Sequence, residues 1–84
     1  MIPLNAEATA MLRQSLVRFR PDLLPVVDSP DVVSVDEVLG NQLRGAVGEE
    51  FLRVGLKEDW EPNELGLKLE KLIDDIGRLF MPPH

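Results

Sequence analysis

The chain has 84 residues, enough for one domain but with little margin for a core, and its 44% apolar content is too high for general disorder. It has no cysteine, which excludes disulfides, thiol catalysis and thiolate metal sites and fits a cytoplasmic protein. Its net charge of −6 is uneven: residues 1–27 carry three arginines against Glu7 and Asp22, or +1, while residues 28–84 carry six basic against thirteen acidic residues, or −7, a balance that disfavours nucleic acid and anionic membrane and favours a basic partner.

The first residues carry no basic n-region followed by an apolar run, so no signal peptide is expected, and no apolar stretch approaches the length of a membrane span. Asn5 is a plausible N-cap for a first helix over residues 6–20. Ala8, Met11, Leu12, Leu16 and Phe19 form its apolar side, with Arg13 and Arg20 on one flank and Arg18 on the other. Pro21 ends it, because the residue before a proline avoids the α region. Residues 21–33 hold Pro21, Pro25 and Pro30, with Val26-Val27 and Val32-Val33 between them. The runs are too short and too proline-bound for a convincing strand, although a hairpin around Asp28-Ser29-Pro30-Asp31 stays open. The reading is a proline-pinned connector whose valines pack onto the helices.

Ser34-Val35-Asp36-Glu37 has the form of a capping box, with Ser34 as N-cap of a second helix over residues 35–54. Gly55 fits a left-handed position after it. The apolar face of this helix drifts. Val35, Val38, Leu39 and Ala46 share one direction, Leu43, Val47, Phe51 and Val54 another, and Leu52 points elsewhere, so contacts on two sides are expected. Gly40, Gly45 and Gly48 each cost up to about 1 kcal/mol against alanine in a helix interior, which points to close backbone packing, a bend or a break near Gly40. Glu50 falls on the apolar side. A buried carboxylate needs a partner, and an arginine of the first helix is the expected one, unless Glu50 sits at a helix edge.

Lys57 to Glu61 is the connector to a third helix over residues 62–80, with 81–84 expected as a disordered tail. At 100° per residue, Leu65, Leu69, Leu72, Ile73, Ile76, Leu79 and Phe80 fall within roughly a third of the circumference. Pro62 suits the first helical position and Pro82 and Pro83 stop the helix. Glu64 with Lys68, and Asp74 with Arg78, are spaced as i,i+4 ion pairs. Leu67 alone among the large apolar residues points to the polar face.

The chain offers little for catalysis. His84, the only histidine, is its last residue; no Ser-His-Asp set and no glycine-rich phosphate loop can be assembled. No enzyme activity, cofactor or metal is expected. Glu58, Asp59 and Glu61 lack the spacing and central glycine of a calcium loop. Trp60 among these carboxylates either folds back onto the core or anchors a basic protein, since tryptophan is enriched in binding hot spots. Leu67 and Asp74 on the last helix extend such a surface. The expected partner site is therefore Glu58, Asp59, Trp60, Glu61, Leu67 and Asp74.

In length, acidity and helical outline the chain resembles acyl carrier proteins. That resemblance implies phosphopantetheine on the serine of an Asp-Ser-Leu motif. The nearest match is Asp28-Ser29-Pro30, where proline stands in place of leucine, and Ser29 is accordingly expected to stay unmodified. The segment from Gly55-Leu56 through Glu61-Pro62-Asn63-Glu64 to Leu72-Ile73-Asp74 is similar to the tails of short uncharacterised bacterial proteins, some of them of the toxin-immunity kind. That likeness implies a small cytoplasmic inhibitor of a basic partner. The resulting expectation is an all-α single domain of three helices, with a fourth open and the second central. Its expected role is to bind a protein, and the alternatives are a carrier-like protein and a homo-oligomeric structural module.

Overall fold

The computed structural model describes residues 2–31 and 34–81, and it is all-α. Four helices follow in order: α1 (Ala6–Phe19), α2 (Leu24–Asp28), α3 (Glu37–Val54) and α4 (Glu64–Phe80), with a 3-10 turn, Pro21–Leu23, before α2. α3 is central. It packs most extensively on α4 and next on α1, while α1 and α4 touch less. Leu12 and Leu16 of α1, Leu43 and Val47 of α3, and Leu69, Leu72 and Ile76 of α4 form the middle of the core.

Local chemistry explains each helix boundary. The Asn5 side chain accepts from the Ala8 N–H at 2.7 Å, the expected cap of α1. The helix stops at Phe19, because Arg20 ahead of Pro21 leaves the helical region with φ −144°. The connector that follows is more helical than a proline-pinned coil, and residues 26–31 form no hairpin. A proline fixes φ near the helical value and needs no N–H partner in a first turn, so Pro21 opens the 3-10 turn and Pro25 the short α2. Val27 enters the core as expected, and an ion pair from Arg13 to Asp28 ties α2 back to α1. Val32 and Val33 lie outside the described residues.

The cap of α3 is Asp36, not Ser34. The Asp36 carboxylate accepts from the Leu39 N–H at 2.7 Å, and the helix starts two residues later than the capping-box pattern suggests. Val35 is the reason: it is buried in the core from an extended segment, which leaves Ser34 exposed and out of reach of the helix start. The helix is continuous through Gly40, with no break. Gly40 answers to close packing, since the Phe80 ring occupies the space its Cβ would need. Gly45 and Gly48 face open space. Val38, placed by periodicity with the core residues, is 68% exposed and Leu52 62%, because α1 and α4 leave the outer side of α3 uncovered.

Gly55 is not left-handed; its φ is −93° and its ψ −2°. What it requires is the absence of a side chain. A Cβ there would lie 3.0 Å from the Gly66 Cα, and a Cβ on Gly66 would collide with the Gly55 carbonyl. The end of α3 and the start of α4 thus meet backbone to backbone. α4 begins at Glu64, capped by Asn63, whose side chain accepts from the Gly66 N–H at 2.7 Å; Pro62 precedes the cap instead of occupying the first helical position. The expected i,i+4 pairs of α4 do not form. Lys68 reaches Glu7 of α1 at 3.2 Å, and Asp75 takes both Lys71 (2.9 Å) and Arg78 (3.3 Å). Pro82, Pro83 and His84 lie outside the described residues.

Chemical denaturation should separate the two cap candidates: Asp36→Ala loses about 1 kcal/mol, whereas Ser34→Ala stays within about 0.5 kcal/mol of the parent, as surface changes do. The glycines divide in the same assay. Gly66→Ala forces the helices apart and costs about 1–3 kcal/mol, while Gly45→Ala gains about 0.5–1 kcal/mol, because nothing stands where its methyl group would go.

Candidate functional site

The loop between α3 and α4 stands on a set of hydrogen bonds centred on Asn63. Its side-chain amide donates to the Val54 carbonyl at 2.8 Å and its backbone N–H donates to the Gly55 carbonyl at 2.8 Å. Its side-chain oxygen and its carbonyl accept from the Gly66 and Leu67 N–H groups at 2.7 and 3.0 Å. One asparagine therefore satisfies the last carbonyls of α3 and the first N–H groups of α4 together. The sequence signal for this was present, since asparagine is a strong cap, but Pro62 suits a first helical position as well, and placing it there starts the helix two residues early.

Above this base the chain makes a small hairpin. Leu56 and Pro62 face each other in a single antiparallel bridge, and the Lys57 N–H donates to the Glu61 carbonyl at 2.7 Å. The Trp60 N–H donates to the Lys57 carbonyl at 3.0 Å, and the Asp59 carboxylate accepts from the Glu61 N–H at 3.2 Å. This is the pattern of a three-residue hairpin loop whose third residue takes a left-handed conformation, a place suited to glycine. Here that residue is Trp60, with φ +68°. A left-handed backbone costs a residue with a side chain about 1–2 kcal/mol.

Trp60 does not fold back onto the core. It is 78% exposed, which leaves most of the residue in water beside Glu58, Asp59 and Glu61, all exposed. Glu64 in the first turn of α4 adds a fourth exposed carboxylate that the expected site lacked. None of these four forms an ion pair among the described residues. Leu67 is 58% exposed one turn into α4, so a large apolar side chain lies near the acidic hairpin in the chain. Asp74 shares the outer face of α4 with Leu67 but stands about 10 Å further along the axis, at 1.5 Å per residue. The structure thus brings Glu58, Asp59, Trp60 and Glu61 together on one loop, sets Leu67 beside its base, and places Asp74 at the margin.

Several charged groups elsewhere have partners. Glu50 is buried and Arg18 of α1 lies 3.3 Å from it, the expected ion pair. Arg20 donates two hydrogen bonds to Asp22 at 3.0 and 3.1 Å, and these hold the Asp22 carboxyl below its ordinary range. Ser29, the serine of the carrier-like motif, is half-buried just after α2 and accepts from the Asp31 N–H at 3.3 Å. Among the described residues, no three His, Cys, Asp or Glu side chains converge as a metal ion requires, and no helix is long and apolar enough to cross a membrane. Leu65, expected on the core stripe, is 41% exposed, because α1 does not close over the first turn of α4. Comparison of the chain with protein-family models, with curated proteins and with solved structures finds no match in any of the three.

Since Trp60 packs on nothing in the core and holds a strained backbone, Trp60→Gly should raise stability by about 1–2 kcal/mol in chemical denaturation. The same tryptophan, the chain's only one, should be readily quenched by acrylamide in the folded parent.

Proposed function

We propose that this protein is a small acidic binding module for a basic protein partner, of the inhibitor or immunity type, acting in the cytoplasm of a bacterium and not as an enzyme. One observation carries the reading. A tryptophan is held out in solvent, in a conformation that disfavours it, on a loop braced by two helix ends. A large aromatic side chain exposed at a cost in stability is what a binding anchor looks like before its partner covers it. The four carboxylates around it support the choice of partner. They are free to pair with lysine and arginine across an interface, and their field steers a basic protein into contact. Leu67 gives the rim of the anchor an apolar shoulder, and the bacterial and immunity-type parts of the reading rest on the likeness of the last thirty or so residues.

The test uses binding kinetics with a partner identified by co-purification and then made pure. Glu58→Lys with Asp59→Lys should slow association about tenfold at low salt and flatten its salt dependence, with the melting curve unchanged. Trp60→Gly should act mainly on dissociation, raising its rate at least tenfold while the fold becomes more stable. Unchanged association and dissociation in both variants would show that the partner docks elsewhere.

A further inference from the structure

The outer side of α3, which α1 and α4 leave uncovered, carries two large apolar side chains in water, Val38 and Leu52. Between them on the same side lie Asn41, Gly45 and Gly48. The five residues follow one another at steps of three, four, three and four, the spacing of a coiled-coil seam. At 1.5 Å per residue the seam is about 21 Å long. Its two glycines weaken a helix interior, and a Cβ on either would meet nothing, so no packing inside the molecule requires them.

The charges beside the seam point to what covers it. Glu37 and Arg44 flank it on one side, Gln42 and Glu49 on the other. Glu37, Arg44 and Glu49 form no ion pair among the described residues. Arg44 is half-buried beside Gly77 of α4, with its guanidinium charge unanswered. In two parallel helices, a residue on one flank meets the residue about five positions further along on the other helix's opposite flank. That register sets Arg44 against a second copy's Glu49, and Glu37 against the amide of its Gln42. In an antiparallel pair each flank meets itself, and the register that covers both Val38 and Leu52 brings Arg44 beside Arg44. Two further cations stand on the Glu49 side, and both are engaged. Arg20 is held by Asp22, and Arg53 lies over the Phe19 ring at 5.9 Å. Glu37, Arg44, Glu49 and Arg53 leave this face without net charge, in a chain of net charge −6. Two copies that repel over most of their surface therefore meet here without repulsion.

We propose that the outer face of α3 is a homodimer interface, on which α3 of a second copy packs in parallel and crosses closest at Gly45 and Gly48. Glycines at the crossing let the backbones approach, and the larger Val38 and Leu52 fill the wider gaps on either side, each against its own copy. Asn41 also meets its own copy, and the two amides donate and accept in turn. The face shares no residue with the Trp60 hairpin and does not depend on its role.

Sedimentation equilibrium of the full chain up to about 1 mM, which reaches a Kd of that order, should show monomer and dimer in exchange. Leu52→Glu, at an exposed position, should weaken the dimer at least tenfold by setting two carboxylates across the symmetry axis. Glu49→Arg should do the same, and adding Arg44→Glu to it should recover the parent affinity within about threefold. Trp60→Gly should leave the dimer unchanged. Because the chain has no cysteine, single cysteines report the orientation. Under oxidised glutathione, a mixture of Val38→Cys and Leu52→Cys chains should give disulfides between like chains and none between unlike ones. Should the double charge exchange fail to fold, these disulfides carry the test. A monomer at every concentration, a dimer indifferent to Leu52→Glu, a dimer dissolved by Trp60→Gly, no recovery in a folded double exchange, or disulfides between unlike chains in place of like ones would overturn the inference.

Discussion

The contact between Gly55 and Gly66, locked by Asn63, is the constraint on which the rest of the molecule depends. α3 and α4 approach so closely there that neither glycine has room for a methyl group. Such an approach would strand the last carbonyls of one helix and the first N–H groups of the next. Asn63 removes that cost by answering both ends from a single side chain and its own backbone. With the two ends fixed, the axes of α3 and α4 are set, and Leu43, Val47, Leu69, Leu72 and Ile76 meet as one core. At the far end of the pair the same principle recurs, with the Phe80 ring lying against Gly40. The helix pair is gripped at both ends by glycines, and the leucines and isoleucines fill the space between. α1 completes the core through Leu12 and Leu16.

This arrangement has a direct consequence for the hairpin. A seven-residue excursion from 56 to 62 returns to its starting point over a junction that cannot shift. Its short ladder and turn hydrogen bonds leave the chain few conformations, and one of its residues must take a positive φ. That residue is the tryptophan. In a mobile loop the indole would be drawn toward apolar surface; in this one it is aimed at solvent. Pre-organisation of this kind spares a binding partner the entropy of ordering the loop.

Charge follows the same division between fixed and free. Carboxylates near α1 are answered within the fold: Glu7 by Lys68, Asp28 by Arg13, Asp22 by Arg20, Glu50 by Arg18. Those on the hairpin and at the start of α4 are not. Four carboxylates without an ion pair, Glu58, Asp59, Glu61 and Glu64, thus fall within seven residues of the chain that include Trp60. Glu50 is a partial exception inside the core, because Arg18 reaches one oxygen and the other is buried without a hydrogen-bond partner.

The sequence by itself determined what depends on neighbours along the chain. The 3.6-residue period of α4 marks Leu69, Leu72 and Ile76 as core, Asn5 caps α1, Pro21 ends it, and Leu67 is left outside, all because these follow from local dihedral preferences and from one helix surface considered alone. It also carried the Glu50–Arg18 pair, since a carboxylate on an apolar stripe requires a cation. The residues of the candidate loop were legible as a list, whereas the exposure of Trp60 and the distance of Asp74 from the hairpin were not. Tertiary structure alone decided the rest. Asp36 displaces Ser34 as the cap because Val35 is pulled into a core assembled from distant residues. Leu65 is exposed because α1 does not close over the first turn of α4, and Val38 because it lies on the side of α3 that its neighbours leave uncovered. Gly55 serves close approach and not a left-handed turn, which only the position of Gly66 reveals. Trp60 could have been core or surface on composition alone; its direction was settled by the closure of a hairpin over two helix ends, and that closure exists only once α3 and α4 have packed.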